Sequence, residues 1–252
     1  MQKLNYYSLT RKGYKSDKNE DHISVPSKKF KPEMMEKKGY FFVLCDGLGG
    51  HSAGEIASKI CGRTLFGKYY DDKIHENKSL WLINAINTVN IIIRGIAKDF
   101  PEYEGMGTTL LSLLISENIA YINNVGDSRL YLYAHKKFEQ ITEDQSPAWD
   151  DYMNGYLTKD DLIKCKYKNI ISEAIGLLDE PTINSYRLEL PEKYFFMLCS
   201  DGITDECLDD ELKQIIDSCS SLQECSMQLY NLAIEKGSID DISIILVSNY
   251  IE

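Results

Sequence analysis

The sequence is poor in the long uninterrupted apolar runs expected of a chain that enters or crosses a membrane. No run among its 252 residues approaches the ~18 consecutive apolar residues of a membrane span. The opening MQKLNYYSLTRKGYK has no apolar core of a secretory signal. The expected location is therefore the cytoplasm. An excess of basic residues is missing too: the formal net charge is -11, which works against nucleic acid and anionic lipid, since both bind through surplus Lys and Arg. The cysteines are seven, an odd number, with no CxxC pair or other zinc-ligand spacing, so they read as reduced, buried thiols. There is no Pro-rich linker, no low-complexity block and no repeat with a period of ~20–50 residues. The reading is one domain over residues 1–252.

What is present suits a globular chain able to bury a full core: 43% hydrophobic and 27% charged residues is an average make-up. Residues 40–45 (YFFVLC) are an apolar run of strand length that stops at Asp46-Gly47, the pattern of a buried strand ending in a turn. Ser52 and Glu55 have capping-box spacing for a helix through about Tyr69. Over residues 78–97, Trp81, Ala85, Val89, Ile92, Ile93 and Ile96 form one helical stripe. Further strands are expected at 6–10, 22–25, 108–116, 119–125, 129–133, 183–190, 194–199 and 242–248. Helices are expected near 159–165, 209–216 and 222–236, and the Lys/Glu-rich stretch 27–38 reads as a loop. Strands come in groups and helices in pairs, which argues for an α+β fold of antiparallel sheets covered by helices.

The acidic residues fall in a pattern. Residues 40–47 (YFFVLCDG) and 194–202 (YFFMLCSDG) nearly repeat one another, each an apolar strand delivering an Asp-Gly pair at its end. Asp240 and Asp241 sit just before the apolar strand at 242–247, Asp127 lies in a turn between strands, and Glu20-Asp21 precede the strand at Ile23. In an antiparallel sheet one strand's exit and its neighbour's entry share a rim, so such carboxylates can converge. Left alone they would repel one another and raise their own pKa values. Hard divalent cations resolve that repulsion, and oxygen-only ligands without a His/Cys set favour Mg²⁺ or Mn²⁺ over Zn²⁺. Gly47 has no Cβ to keep a backbone carbonyl from an ion. Asp-Gly after a strand is also an ordinary turn signal, so any one of these residues alone has a plain structural reading. Five in register argue for a site.

In chain order these pieces are Asn19-Glu20-Asp21, the stretch 45–55 (CDGLGGHSAGE), Gly107-Thr108-Thr109, residues 125–129 (VGDSR), Ser200-Asp201-Gly202 with Asp205, and Asp240-Asp241-Ile242-Ser243. Over about residues 13–248 the chain thereby resembles the metal-dependent protein phosphatases, the type 2C serine/threonine phosphatases, and their compact bacterial members in particular. The resemblance implies a four-layer α-β-β-α sandwich of two antiparallel sheets flanked by helices. It implies a cofactor of two core Mn²⁺ or Mg²⁺ ions with positions for a third. The implied reaction is hydrolysis of phosphoserine and phosphothreonine in proteins by a metal-activated water, the ions lying about 3.5–4 Å apart. Asp46 would bridge the two ions, with the Gly47 carbonyl on one and Asp201 and Asp240 on the other. Glu20 and Asp21 would hold ion-bound waters or touch an ion. Asp127 and Asp205, with Asp201, match the positions of the third ion. The partners implied are phosphorylated proteins, products of Ser/Thr kinases, with no nucleic acid and no membrane.

Several positions depart from the family pattern. Ser16 stands where the family has an arginine that forks onto the substrate phosphate, and one neutral hydroxyl replaces a bidentate cation. Lys15, Lys18 or Arg11 could reach into that gap, Lys15 and Lys18 being preferred, and the expected signature is a raised KM. Leu48 follows Asp46-Gly47 where animal and plant members carry a histidine, leaving protonation of the leaving group to water. Gln145 replaces the histidine of an Asp-His-Ser stretch, and Asp241 and Ser243 replace Asn and Thr. Arg129 is read as a structural ion-pair partner rather than a phosphate ligand. Residues 146–170 correspond to the variable flap of the family. The rival to an active phosphatase is a weakly active or inactive phosphoprotein-binding regulator, motivated by Ser16. A third reading is a phosphatase for small phosphoesters or phosphotyrosine.

Overall fold

The computed structural model describes residues 4–14, 17–27, 32–49, 53–71 and 76–252. In chain order its elements begin with β1 (Asn5–Arg11), β2 (His22–Ser24), α1 (Pro32–Lys38), β3 (Tyr40–Cys45) and β4 (Gly47–Leu48). Two long helices follow, α2 (Ala53–Asp71) and α3 (Lys78–Asp99). Next come β5 (Gly107–Thr108), β6 (Leu110–Ser116), β7 (Ile119–Val125), β8 (Arg129–Ala134) and β9 (Lys137–Gln140). After α4 (Pro147–Met153) and α5 (Lys159–Lys164) the chain forms β10 (Asn184–Glu189) and β11 (Phe195–Cys199). It ends with α6 (Asp201–Thr204), α7 (Asp209–Ser218), α8 (Leu222–Glu235) and β12 (Ile242–Ser248). Two antiparallel sheets with helices make the expected α+β fold. The elements divide between two compact units.

The first unit holds residues 20–125 and 173–190. Its sheet runs β10-β7-β6-β3-β2 with every pairing antiparallel. Successive strand side chains alternate between faces, so Phe41, Val43 and Cys45 of β3 share one. They join a core with Ala57, Cys61 and Leu65 of α2 and Leu82, Ile86, Val89 and Ile93 of α3. The ring of Tyr69 lies 4.8 Å from Phe41 and 5.3 Å from Trp81, where its area adds to the core. By length and composition α3 is apolar enough to cross a membrane, yet Leu82, Ala85, Ile86, Val89, Asn90 and Ile93 are buried along one of its faces. Asn90 donates to Leu178 O at 2.9 Å and accepts from Gly176 N at 2.7 Å, tying residues 176–178 to that helix.

The second unit holds residues 2–19, 126–172 and 191–252, and its sheet runs β1-β12-β11-β8-β9. Phe195, Met197 and Cys199 of β11 with Ile242, Ile244 and Leu246 of β12 pack against Leu212 and Ile216 of α7 and Leu229 and Ala233 of α8. Ser221 caps α8 by accepting from Glu224 N at 3.2 Å, satisfying a donor that the first turn leaves over.

The long strands and helices lie where the sequence places them. Residues 32–38 depart from the expected loop and form α1. A proline opens this helix, a position where its missing N–H costs nothing, and buried Met35 anchors it, with Gly39 N donating to Met35 O at 2.8 Å. Two turns are too short to show a helical period. The same holds for α4, where the sequence pattern predicts no helix. The Ser52 cap lies outside the described residues.

Candidate functional site

In the first unit the motif pieces meet through their backbones. Asp46, at the exit of β3, is held on both sides: its N–H donates to Thr109 Oγ1 at 2.9 Å, and its carbonyl accepts from Thr108 Oγ1 and Thr109 N, each at 2.8 Å. The Gly-Thr-Thr stretch is thus a clamp on the aspartate's main chain. Gly47 N donates to Glu20 O at 3.1 Å, and Ser58 Oγ donates to the same carbonyl at 2.6 Å. A Cβ on Gly47 would stand 2.3 Å from Gly54 O and 2.6 Å from Glu20 O. Gly47 is therefore required by close approach of three chain segments. Asp21 is 5% exposed. Burial, the neighbouring Cys61 thiol, and the charges of Asp21 and Asp46 together push the Cys45 thiol well above its ordinary range, which disfavours the thiolate form.

In the second unit a small cavity of about 20 Å³ is lined by Asp127, Asp201 and Asp205 together with Arg129, Asp144 and Lys168. Asp201 opens α6 directly after β11, and Asp205 lies one helical turn on, its N–H donating to Asp201 O at 2.8 Å. Ser200 fixes this exit: Ser243 N donates to its Oγ at 3.0 Å, and Ser200 N donates to Ser243 O at 3.1 Å. Ser243 Oγ reaches Thr10 Oγ1 at 2.8 Å, which also accepts from Asn19 Nδ2 at 2.8 Å. Asp240 precedes β12, with its Oδ1 accepting from Asp241 N at 2.9 Å, and Asp241 Oδ1 accepts from Gly13 N at 2.8 Å. A Cβ on Gly13 would stand 2.2 Å from Asp240 O. The departures at 241 and 243 are therefore built into the bonds that position Asp240 and Asp201. Gln145 has a like task, its Oε1 accepting from Gly126 N at 2.7 Å to set the turn before Asp127.

Arg129 is structural, as the sequence suggests, and its partner is Asp144. Nε donates to both carboxylate oxygens at 2.9 Å and Nη2 donates to Oδ2 at 2.6 Å. Burial disfavours the guanidinium, but Asp144 outweighs it and holds its pKa above the usual range. Burial pushes the Asp127 carboxyl well up, and the charges of Asp201, Asp144 and Asp205 push it further, with Arg129 opposing. Buried carboxylates under that strain suit a hard cation, which offsets the repulsion and needs no nitrogen or sulfur donor. Among the described residues no three His, Cys, Asp or Glu side chains stand as a ready-made coordination sphere. Mg²⁺-like ions keep several waters and take one or two carboxylates, so the donors present fit such an ion. Lys18 is exposed, and Lys15 and Ser16 lie outside the described residues. Asp144 and Lys168 escaped the sequence reading, since each takes its place through a partner distant in the chain.

Comparison with known proteins identifies the family. The family model described as protein phosphatase 2C matches residues 33–229. Protein phosphatase PhpP of Streptococcus pneumoniae is 31% identical over 246 residues, 95% of each chain. The structure of serine/threonine phosphatase Stp1 from Staphylococcus aureus superposes with a TM-score of 0.88 at 31% identity, covering 98% of this chain and 95% of that one. The catalytic domain of the serine/threonine protein phosphatase PstP, in complex with 2 manganese ions, gives a TM-score of 0.81 at 28% identity over 97% of each chain. With the family model spanning most of its length and the motif residues seated at strand ends, the chain belongs to the protein phosphatase 2C family.

Proposed function

We propose that this chain is a serine/threonine protein phosphatase that hydrolyses phosphoserine and phosphothreonine in cytoplasmic phosphoproteins, the products of Ser/Thr kinases, with Mn²⁺ or Mg²⁺ as cofactor. The observation that carries the reading is the clamped exit of β3, where Thr108 and Thr109 hold the Asp46 main chain and the Glu20 carbonyl holds Gly47. In this assignment Asp46, the Gly47 carbonyl, Asp201 and Asp240 would hold the ions, and Glu20 and Asp21 would hold ion-bound waters or touch an ion. When bound, paired divalent ions supply an activated water and offset the charge that develops on the phosphoryl group.

The chain's own residues supply position. The threonine clamp fixes the Asp46 main chain from which its carboxylate projects, and Ser200 and Ser243 fix the turn that bears Asp201. Pre-set ligands of this kind lower the cost of ordering the site at each turnover. Lys15, Ser16 and Lys18 are assigned to the substrate phosphate, with a flexible ammonium replacing the family's forked guanidinium. One domain over residues 1–252, with the flap at 146–170 bearing substrate choice, completes the assignment.

Phosphate release from matched phosphothreonine and phosphotyrosine peptides, with Mn²⁺, Mg²⁺ or EDTA, tests the reading. Release that depends on the ion, stops with the chelator, favours phosphothreonine and shows a high KM is the expected result. Release that survives EDTA would refute the metal mechanism. Mn²⁺-loaded protein that binds the peptide and releases nothing would point to the phosphoprotein-binding regulator, and preference for phosphotyrosine would point to the small-phosphoester reading.

A further inference from the structure

In the first unit the chain from residue 173 to β10 forms no helix and no named strand. Ala174 and Ile175 are buried, but Leu177 and Leu178 are 46% and 37% exposed, so beyond residue 176 the loop has little apolar burial to hold it. Glu173 closes the loop's base, accepting from Thr182 N and Thr182 Oγ1, each at 2.9 Å. Arg94 pairs with the exposed side chain of Asp179, where an ion pair contributes little. The interior is held by Asn90 of α3, which is buried. Its Oδ1 accepts from Gly176 N at 2.7 Å, and its Nδ2 donates to Leu178 O at 2.9 Å and to Asp179 O at 3.2 Å. That task needs a donor and an acceptor on one short side chain. Gly176 has φ +96, and a Cβ there would stand 2.6 Å from Ile93 Cγ2, so the loop is drawn tight against α3.

The residue beside Gly176 reaches the site. Ile175 and Thr108 exchange both main-chain bonds, N to O at 2.9 Å in each direction. On its other side Thr108 pairs with Gly47, and its Oγ1 donates to Asp46 O at 2.8 Å. The strand that bears Thr108 is two residues long, far short of what holds itself in register, so Ile175 supplies support that its own ladder lacks. Asn90, Ile175, Thr108 and Thr109 are all buried, which leaves no bulk water to replace a lost partner. Three successive contacts thus join the Asn90 amide to the Asp46 main chain: the bond to Gly176, the bridge between 175 and 108, and the threonine clamp.

Resting on the metal-phosphatase reading above, we propose that Asn90 is a positioning residue for Asp46, acting through Gly176, Ile175 and Thr108. It touches neither ion nor substrate. Its work is to seat the 175–179 loop against α3, so that Ile175 presses on Thr108 and the threonine clamp keeps the Asp46 main chain at one place. Without Asn90 the loop separates from α3, the bridge at Thr108 loosens, and the carboxylate of Asp46 loses its fixed origin.

Amide hydrogen exchange of metal-free wild type and Asn90→Ala tests the inference, with calorimetric titration of Mn²⁺ and peptide kinetics alongside. Exchange is expected to speed at Gly176 and Ile175, and also at Thr109 and Asp46, whose N–H groups make the clamp. Mn²⁺ should bind about 10–100-fold more weakly, the usual loss when a group that orients a ligand is removed. Turnover should fall by about 10–100-fold in kcat with KM nearly unchanged, as a displaced catalytic group does. Thr108→Val removes the hydroxyl bond to Asp46, so in the double variant with Asn90→Ala the losses should combine to less than the product of the two single losses. If Asn90→Ala does not fold, Asn90→Asp, which has nearly the same volume and keeps the acceptor for Gly176 N, should show the same changes in smaller measure. Faster exchange confined to residues 175–179, with Thr109 and Asp46 still protected and Mn²⁺ affinity unchanged, would overturn the role of Asn90 and leave it a loop anchor. Wild-type protein that binds no Mn²⁺ would overturn the metal-phosphatase reading instead.

Discussion

Asp201→Asn is expected to lower kcat/KM on a phosphothreonine peptide by about 10³-fold or more, with the fold unchanged. The substitution keeps the shape of the side chain and removes one negative charge from a proposed ion ligand. A bound divalent ion contributes several kcal/mol to stabilising the transition state, and about 4 kcal/mol corresponds to a thousandfold in rate. The main chain at this point is set by Ser200 and Ser243, whose mutual bonds of 3.0 and 3.1 Å do not involve the Asp201 carboxylate. Thermal unfolding of the metal-free variant should therefore match that of the wild type. Turnover within a few fold of wild type would remove Asp201 from the ligand set, and a collapsed fold would show that its role is structural.

Arg129→Met is expected to cost about 3–5 kcal/mol of stability, the usual penalty for removing one partner of a buried ion pair. The guanidinium and the Asp144 carboxylate are 10% and 7% exposed, and one of their contacts is 2.6 Å. Without Arg129 the Asp144 charge would be left buried near Asp127, whose carboxyl is already pushed up by burial and by Asp201, Asp144 and Asp205. Stacking over Trp149 would be lost as well. The double variant Arg129→Met with Asp144→Leu should recover most of the loss, because no unpaired charge then remains. Urea denaturation of the three proteins measures both numbers. A single-variant loss below about 1 kcal/mol would mean that the pair is solvated and the site looser than described.

The positions of the proposed ligands were legible because strand ends and turn chemistry are local. Residues 40–45 and 194–199 announce themselves as buried strands, and the Asp-Gly pairs mark their exits. What fixes those ligands was not legible. The two threonines that hold Asp46 lie 62 and 63 residues away, and Gly13 meets Asp241 across 228 residues. Backbone hydrogen bonds of this kind leave no periodicity, since the partner's side chain matters only for being a threonine or for lacking a Cβ. The pairing of Arg129 with Asp144 spans 15 residues through a hairpin, and nearby Asp127 was as good a partner on sequence grounds. The short helices α1 and α4 hid for a different reason: seven residues each give two turns, too few to separate a helical stripe from chance.

The proposal that reaches furthest is that Asp46, Asp201 and Asp240 would hold a pair of divalent ions. Low-temperature electron paramagnetic resonance of the protein loaded with Mn²⁺ tests it most directly, because ions about 3.5–4 Å apart couple magnetically and isolated ions do not. The account predicts a spin-coupled pair in the wild type that gives way to isolated-ion spectra in Asp46→Asn. A fully loaded wild-type protein showing only isolated Mn²⁺ would contradict it.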